Sequence, residues 1–278
     1  MNCPTDASMH IAKEGADACI TAAEIQAAIE GRQFRLCYHP KVECESLILK
    51  GFEVLIRWEH PTRGLVMPDQ FIRVAEDAGL IGKITEIVVD EAFAWYLATP
   101  GVRGLWLSIN MSVKRLSDAD FAAWLFARCR AVGIKPDCIY LEISETAVMT
   151  ERLHAYDMFN RLLERGFRVA IDNFGVGKYS LSILARLPFS EVKIERSFGM
   201  TAGESEESRA FIKATVDLAH RMALSVVAEG VEDRVTLEFL RHAKCDYIQG
   251  YLVTRPMTSE QTQDWMLNRR QMTKHMLI

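Results

Sequence analysis

Short apolar runs alternate with longer amphipathic segments along most of the chain, and the alternation is most regular in its second half. The short runs are rich in Val, Ile and Leu and end at turn residues, which predicts β-strands, whereas the longer segments have the helical spacing of apolar residues. The predicted strands of this part cover residues 105–110, 138–143, 168–172, 191–195, 225–229 and 246–251. The predicted helices between them cover residues 118–132, 152–165, 208–222 and 234–242.

The N-terminal part begins with residues 1–20, which have no clear periodicity and are predicted to form a loose lead. Thr21 followed by Glu24 is a capping-box signature, so we expect a helix over residues 22–30. A strand over residues 34–38 follows, and Pro40 is expected to end it.

The second strand, predicted over residues 47–58, carries Glu53 and Arg57 inside an otherwise apolar run. Charged side chains in such a run need partners, because burying an unpaired charge is costly. A short helix that opens at Pro68 and a longer one over residues 84–97 follow.

Together these elements give eight predicted strands, mostly in βα units that repeat roughly every thirty residues. The pattern predicts a single-domain α/β fold of the (β/α)8 TIM-barrel type; a doubly wound open sheet is the alternative, because periodicity does not reveal whether a sheet closes. We predict the barrel domain over residues 21–258 and a C-terminal helix over residues 259–278.

Polar side chains recur where the predicted strands end, and both architectures place ligands there. These residues are Asn110, Glu142, Asp172, Asn173, Lys193, Glu229 and Gln249. Carboxylates crowded together repel one another unless cations lie between them, and hard oxygen ligands suit Mg²⁺ or Mn²⁺. Two such ions can activate a water and stabilise charge on a phosphoryl oxygen. The chemistry of the strand ends therefore indicates metal-assisted phosphodiester hydrolysis.

Composition excludes some partners. The 33 basic and 37 acidic residues give a net charge of −4, which argues against non-specific binding to a nucleic-acid polymer. Seven cysteines without a C-x-x-C pair favour reduced thiols in a cytoplasmic protein. The chain has no apolar run of about eighteen residues, so we expect no membrane partner, and we see no signal peptide.

Several short motifs carry a family resemblance. They are Glu53-Val54-Leu55, Pro68-x-x-Phe71-Ile72, Asn110-Met-Ser112, Glu142-Ile-Ser-Glu145, Asp172-Asn-Phe-Gly-Val-Gly177, Lys193-Ile-Glu195, Ala228-Glu-Gly-Val-Glu232 and Gln249-Gly-Tyr251. With these motifs in this order, residues 34–256 resemble the EAL-domain cyclic di-GMP phosphodiesterases. The resemblance implies a TIM-barrel-like fold, a two-metal site for Mg²⁺ or Mn²⁺, hydrolysis of cyclic di-GMP to linear 5′-pGpG, and a homodimer in bacterial signalling.

The resemblance also implies a role for each matching residue. It assigns catalysis to Glu53, Lys193 and Glu229, substrate binding to Leu55, Arg57 and Gln249, metal binding to Glu53, Asn110, Glu142, Asp172, Asn173 and Glu229, and anchoring of the loop after Asp172 to Glu145. In this scheme Asp172 bridges the two metal ions. The alternatives are that Arg57 only neutralises Glu53 and that Glu145 belongs to the turn after its strand.

Departures from the family pattern concentrate after strand 168–172. Asn173 stands where the family has a second aspartate, Val176 replaces a small hydroxyl residue, and Lys178 brings a positive charge close to a cation site. An amide oxygen can coordinate a hard cation but neutralises none of its charge. We therefore expect weaker occupancy of the second metal position. Glu195 replaces an aspartate, which is a milder change.

Two hypotheses about function remain open at this point. The first is a cyclic di-GMP phosphodiesterase with reduced activity. The second is a non-catalytic EAL module that binds cyclic di-GMP or a protein partner and passes on a signal. The joint presence of Asn110, Glu142, Asp172, Lys193 and Glu229 favours the enzyme.

Overall fold

The β-strands form one sheet that closes on itself. The computed structural model describes residues 19–150, 152–177 and 184–277, without the side chains of residues 149–156 and 270–277. The strands in this part are β1 (Phe34–Glu43), β2 (Leu49–His60), β3 (Gly64–Val66), β4 (Trp106–Asn110), β5 (Ile139–Ser144), β6 (Arg168–Phe174), β7 (Glu191–Ile194), β8 (Ser225–Ala228) and β9 (Tyr247–Ile248). The helices are α1 (Ala22–Glu30), α2 (Pro68–Asp77), α3 (Ile81–Ala98), α4 (Val113–Leu116), α5 (Phe121–Val132), α6 (Glu145–Thr150), α7 (Arg152–Glu164), α8 (Arg196–Thr201), α9 (Glu206–Arg221), α10 (Arg234–His242) and α11 (Ser259–Leu277).

Eight strands make the closed barrel, in the order β1-β9-β8-β7-β6-β5-β4-β2, with β2 pairing back to β1 and β3 added beside β2. Strands β4 to β9 are parallel, whereas β1 runs antiparallel to β9. The closed barrel with helices confirms the predicted (β/α)8 class, so the open-sheet alternative is wrong. Because helices cover the outside of parallel strands, most residues of β4 to β9 are buried.

Two compact units divide the chain. The larger contains residues 40–53, 104–254 and 269–278. It includes residues 40–43 of β1, residues 49–53 of β2 and all of β4 to β9. The smaller contains residues 1–39, 54–103 and 255–268, including α1 to α3. The division of the chain into a lead, a barrel domain and a final helix stays a prediction.

The capping signals place α1 correctly. Thr21 N donates to Glu24 Oε2 (2.8 Å) and Glu24 N donates to Thr21 Oγ1 (3.3 Å), which completes a capping box. These reciprocal hydrogen bonds satisfy backbone donors that a helix start otherwise leaves open. Helix α10 also begins and ends as predicted, because Asp233 caps it by accepting from Thr236 N at 2.7 Å.

Two strand predictions differ from the structure by three or more residues at one end, whereas the other predicted strands differ by one or two residues. Pro40 does not end β1, which continues to Glu43 because Val42 and Glu43 pair with β9. A proline removes only its own N–H donor, so a strand can continue where that donor is not required. Strand β9 is shorter than predicted and stops at Ile248, because the residues after it pack against the segment that follows β8. A Cβ on Gly250 would lie 2.2 Å from Val231 O.

The free thiols of the described residues include Cys19, Cys44, Cys129 and Cys245. The prediction of reduced cysteines in a cytoplasmic protein stays a prediction. In the described part of the chain, no helix combines the length and the apolar character needed to cross a membrane.

Candidate active site

The larger unit brings most of the predicted site residues to the carboxyl ends of its strands. Strands β4 to β9 contribute a polar residue at, near or directly after their carboxyl ends, whereas Glu53 lies within β2. The residues are Glu53 on β2, Asn110 on β4, Glu142 on β5, Asp172 and Asn173 on β6, Lys193 on β7, Glu229 directly after β8 and Gln249 directly after β9.

Lys193 lies at the centre of four carboxylates. Its Nζ is 2.5 Å from Glu142 Oε2 and 2.8 Å from Glu229 Oε1. Asp172 Oδ1 and Glu53 Oε1 follow at 3.3 and 3.4 Å. The Lys193 side chain is only 1% exposed. Because an ammonium has three N–H donors, it can hydrogen-bond at most three of these carboxylates at once, and it attracts the fourth through its charge.

The cluster carries more negative than positive charge. Burial alone would lower the pKa of the Lys193 ammonium, but Asp172, Glu142, Glu229 and Glu53 outweigh burial and raise that pKa well above its usual value. Burial raises the pKa of Glu142 well above its usual value. It also raises the pKa of Glu229 to about 7, although Lys193 opposes the shift. Lys193 is therefore charged, and the raised pKa values of Glu142 and Glu229 mean that these two carboxylates bind protons more readily than an exposed glutamate does.

Two amide side chains orient Glu53. Asn110 Nδ2 donates to Glu53 Oε1 at 2.9 Å, and Gln249 Nε2 donates to Glu53 Oε2 at 3.4 Å. Both carboxylate oxygens of Glu53 are thus engaged from neighbouring strands. The arrangement fixes Glu53 beside Lys193 within a buried environment.

Asp172 and Asn173 interact directly. Asn173 Nδ2 donates to Asp172 Oδ2 at 2.8 Å, while Asp172 Oδ1 faces Lys193. Asn173 has a φ of 55°, in the left-handed region that asparagine tolerates better than most residues. The β6–β7 register also shifts between Ile171 and Phe174, and such irregularities are common beside functional sites.

Glu145 contacts the loop that follows Asn173. Its side chain is fully buried, and Oε2 accepts from Gly175 N at 3.0 Å and Gly177 N at 3.2 Å. A Cβ on Gly177 would lie 2.0 Å from Glu145 Oε1, so this contact requires glycine. Its assigned role as loop anchor depends on this geometry and stays a prediction. Lys178 lies outside the described residues.

The segment after β7 packs closely beneath Glu229. A Cβ on Gly199 would lie 1.7 Å from Glu229 O, so only glycine permits the approach of α8. Glu195 caps this helix, with Oε2 accepting from Ser197 N at 2.9 Å. The replacement of aspartate by Glu195 is therefore compatible with an N-cap.

The donor set suits a hard divalent cation. Glu142 Oε1 is a buried carboxylate oxygen without a hydrogen-bond partner, and Asn110 adds an amide oxygen to three further carboxylates. Within the described residues, no three His, Cys, Asp or Glu side chains are already arranged as ligands of one ion. The Lys193 ammonium lies where the carboxylate oxygens converge. The chemistry of the donors fits a metal, with Lys193 as the positive charge next to it.

Leu55 and Arg57 lie further along β2, in the smaller unit. Arg57 is 7% exposed, and its Nη1 donates to Ile56 O at 2.9 Å. Their predicted part in substrate binding stays a prediction.

Sequence reasoning missed one charged pair inside the barrel. Lys41 Nζ lies 2.7 Å from Glu191 Oε1, and both side chains are buried. The sequence does contain a signal for this pair, because Lys41 and Glu191 are each a charged residue within a mostly apolar strand, as Glu53 is.

Comparison with known proteins relates this chain to one domain family. The model of the EAL domain family matches residues 22–256. The bifunctional diguanylate cyclase/cyclic di-GMP phosphodiesterase MucR of Pseudomonas aeruginosa is 36% identical over 240 residues, covering 86% of this chain and 35% of MucR. The cyclic di-GMP phosphodiesterase NbdA of the same organism is 34% identical over 238 residues, covering 84% of this chain and 30% of NbdA. The chain thus spans about a third of the length of these curated relatives.

Solved structures show the same fold. The PaMucR phosphodiesterase in complex with c-di-GMP has a TM-score of 0.80 and 35% identity, covering 86% of this chain and 98% of that one. The EAL domain of FimX from Pseudomonas aeruginosa, bound to c-di-GMP, has a TM-score of 0.77 and 26% identity, covering 84% of this chain and 95% of that one.

Proposed function

This chain is a member of the EAL-domain family, and from that premise we propose that it is a metal-dependent phosphodiesterase that hydrolyses cyclic di-GMP to linear 5′-pGpG at a reduced rate. The observation that carries the proposal is the Lys193 ammonium held between Glu53, Glu142, Asp172 and Glu229 at the end of the barrel. A merely structural lysine would not require four carboxylates around it.

Mg²⁺ or Mn²⁺, when bound, would supply a positive charge that activates water and stabilises charge on the phosphoryl group. The side chains that would hold the ions are Glu53, Asn110, Glu142, Asp172, Asn173 and Glu229. Glu229 has a pKa of about 7 and can therefore accept a proton at neutral pH. Lys193 keeps the carboxylates in position and adds a fixed positive charge next to the reacting group.

The substrate groups in this proposal are Leu55, Arg57 and Gln249. Arg57 suits a phosphate, because its planar guanidinium offers two parallel donors. Gln249 lies beside Glu53, which places its amide next to the carboxylate cluster.

A second candidate function has its own support at Asn173. Its amide donates to Asp172 Oδ2, so one oxygen of the carboxylate predicted to bridge two metal ions already has a partner. This arrangement favours a module that binds cyclic di-GMP, or a protein partner, without turning the dinucleotide over.

Chromatography of the reaction products separates the two functions. Purified protein at micromolar concentration is incubated with cyclic di-GMP and Mn²⁺ or Mg²⁺, and Glu229→Gln serves as the matched inactive control. We expect linear 5′-pGpG from the wild type and almost none from the control. No product from the wild type, together with dinucleotide binding in calorimetry, would establish the binding module instead.

We also infer a cytoplasmic homodimer, as the family resemblance and the cysteine usage suggest. Light scattering of the purified chain tests the dimer, since a monomeric mass at all concentrations contradicts it.

A further inference from the structure

An ion pair lies inside the barrel beneath the carboxylate cluster. Lys41 Nζ is 2.7 and 3.0 Å from the two carboxylate oxygens of Glu191. The two side chains are 1% and 0% exposed. Charges this deeply buried persist only when each has a close opposite partner.

Aromatic rings surround the ammonium of this pair. Lys41 Nζ lies 4.4 Å from the ring centre of Tyr140, 5.4 Å from that of Trp106 and 5.9 Å from that of Tyr247. The rings favour a cation over an anion at this place. Lys41 is thus held as a charged side chain, and Glu191 is its matching anion.

Glu191 and Lys193 occupy neighbouring positions on the same face of β7. Alternate strand residues point the same way, so both side chains enter the barrel interior, about 7 Å apart along the strand. Lys193 therefore stands between two sources of negative charge. One is Glu191 below it, and the other is the four carboxylates above it.

We propose that Lys41 is a positioning residue for Lys193, because it neutralises Glu191 and so leaves the Lys193 ammonium directed at the carboxylate cluster. The consequence for turnover rests on the proposed function. The position of Lys193 does not depend on it.

Electrostatics predicts that loss of Lys41 displaces the Lys193 side chain, whereas loss of the Glu191 charge does not. Removal of Lys41 leaves a buried, unpaired carboxylate within reach of the flexible Lys193 stem, which would be drawn down from the site. Removal of the charge on Glu191 leaves no anion that competes for Lys193; the unpaired Lys41 then lowers the stability of the fold, although the surrounding rings still favour its positive charge. Replacement of both by apolar residues of similar volume removes the competition entirely, and such replacements of buried pairs are often tolerated.

Four proteins test the proposal: wild type, Lys41→Met, Glu191→Gln and the double variant Lys41→Met/Glu191→Met. For Lys41→Met we expect kcat to fall by about tenfold or more with little change in KM, which corresponds to loss of a group that acts in the transition state. For Glu191→Gln and the double variant we expect kcat within about threefold of the wild type. A general loss of stability would instead lower kcat in all three variants in proportion to their thermal midpoints.

Crystal structures of Lys41→Met and the double variant give a readout without catalysis. We expect Lys193 Nζ to approach Glu191 in Lys41→Met and to remain among the carboxylates in the double variant. Lys193 still bound by Glu142 and Glu229 in Lys41→Met would overturn the proposal, as would equal losses of kcat in Lys41→Met and Glu191→Gln. If Lys41→Met does not fold, Lys41→Gln takes its place under the same criteria. A wild type without phosphodiesterase activity would refute the proposed function, while the crystal structures would still decide the position of Lys193.

Discussion

Lys193 is the residue on which the carboxylate cluster depends for its charge balance. Four carboxylates lie within 3.4 Å of its ammonium, and the side chain is almost completely buried. Without that ammonium the carboxylates would face one another in a medium that screens charge poorly. A bound divalent cation would restore the balance, so lysine and metal are expected to support each other.

Lys193→Met should therefore destabilise the metal-free protein more than the metal-bound protein. Removing one partner of a buried charge cluster costs about 3–5 kcal/mol, and added Mn²⁺ is expected to recover part of this loss. Urea unfolding in EDTA and in Mn²⁺ measures both values. Lys213→Met is the matched control, because Lys213 pairs with Asp217 on the surface and should change stability by less than about 0.5 kcal/mol. Equal losses in EDTA and Mn²⁺ would contradict the expected coupling.

In the proposed two-metal site, Asn173 is expected to weaken binding at the second metal position. Its amide donates to Asp172 Oδ2 and contributes no negative charge. Asn173→Asp replaces that donor with a second carboxylate, so we expect tighter Mn²⁺ binding and a turnover raised by about tenfold. Calorimetry and product chromatography measure the two effects. Val176→Ser is the control, because it reverses another departure in the same loop without adding a charge, and it should leave metal affinity unchanged. If Asn173→Asp has the same turnover as the wild type, the missing charge does not limit the rate.

At the scale of elements, the loop after β6 is tied to α6 by one side chain. Glu145 accepts from the backbone of Gly175 and Gly177, and no space is left for a Cβ at residue 177. The loop begins at Gly175, directly after β6 and two residues after Asn173. Displacement of the loop should therefore disturb the ends of β6.

Gly177→Ala is expected to lower both turnover and stability, the latter by about 1–3 kcal/mol, because the new methyl group displaces the Glu145 carboxylate from its two amide donors. Thermal unfolding and metal titration measure the change. Gly203→Ala is the control, since a Cβ there would meet nothing closer than 3.5 Å. A variant at residue 177 with normal stability and metal affinity would show that the loop tolerates the loss of this anchor.

Local signals explain which elements the sequence predicts well. Helices α1 and α10 begin at side-chain caps, and their bounds agree with the structure. The carboxyl ends of the parallel strands are also predictable, because each apolar run stops at a polar residue. The short elements β3, α4, α6 and α8 were not predicted, since a few residues carry too little periodicity to be recognised.

The sequence does not reveal contacts between residues that are far apart along the chain. Lys41 and Glu191 are 150 positions apart, and each alone is only a charge in an apolar strand. Closure of the barrel likewise depends on the pairing of β1 with β9, beyond Pro40. The place of Lys193 at the centre of the cluster follows from five strands meeting, which no local pattern specifies.

At the scale of the whole molecule, protons and the proposed metal ions would compete for the same carboxylates. The pKa of Glu229 is about 7 in the folded protein and near 4.5 in an unperturbed chain. Because the folded-state pKa is the higher one, protonation favours the fold: the contribution is complete below about pH 4.5 and is lost as the pH rises through about 7. A divalent ion needs the ionised carboxylates, so its binding releases protons and weakens as the pH falls.

The linkage predicts opposite pH trends with and without metal. In EDTA, Glu229 should make the thermal midpoint higher at pH 6 than at pH 8, whereas added Mn²⁺ should raise the midpoint more at pH 8 than at pH 6. Thermal unfolding of the wild type and of Glu229→Gln at both pH values measures the contribution of Glu229 together with its electrostatic coupling to Lys193, Asp172 and Glu53. The variant should show a smaller pH effect in EDTA, since it carries no proton at residue 229 to lose. Identical pH profiles for the two proteins would mean that Glu229 does not titrate in this range, and its assignment as the proton acceptor at neutral pH would then fail.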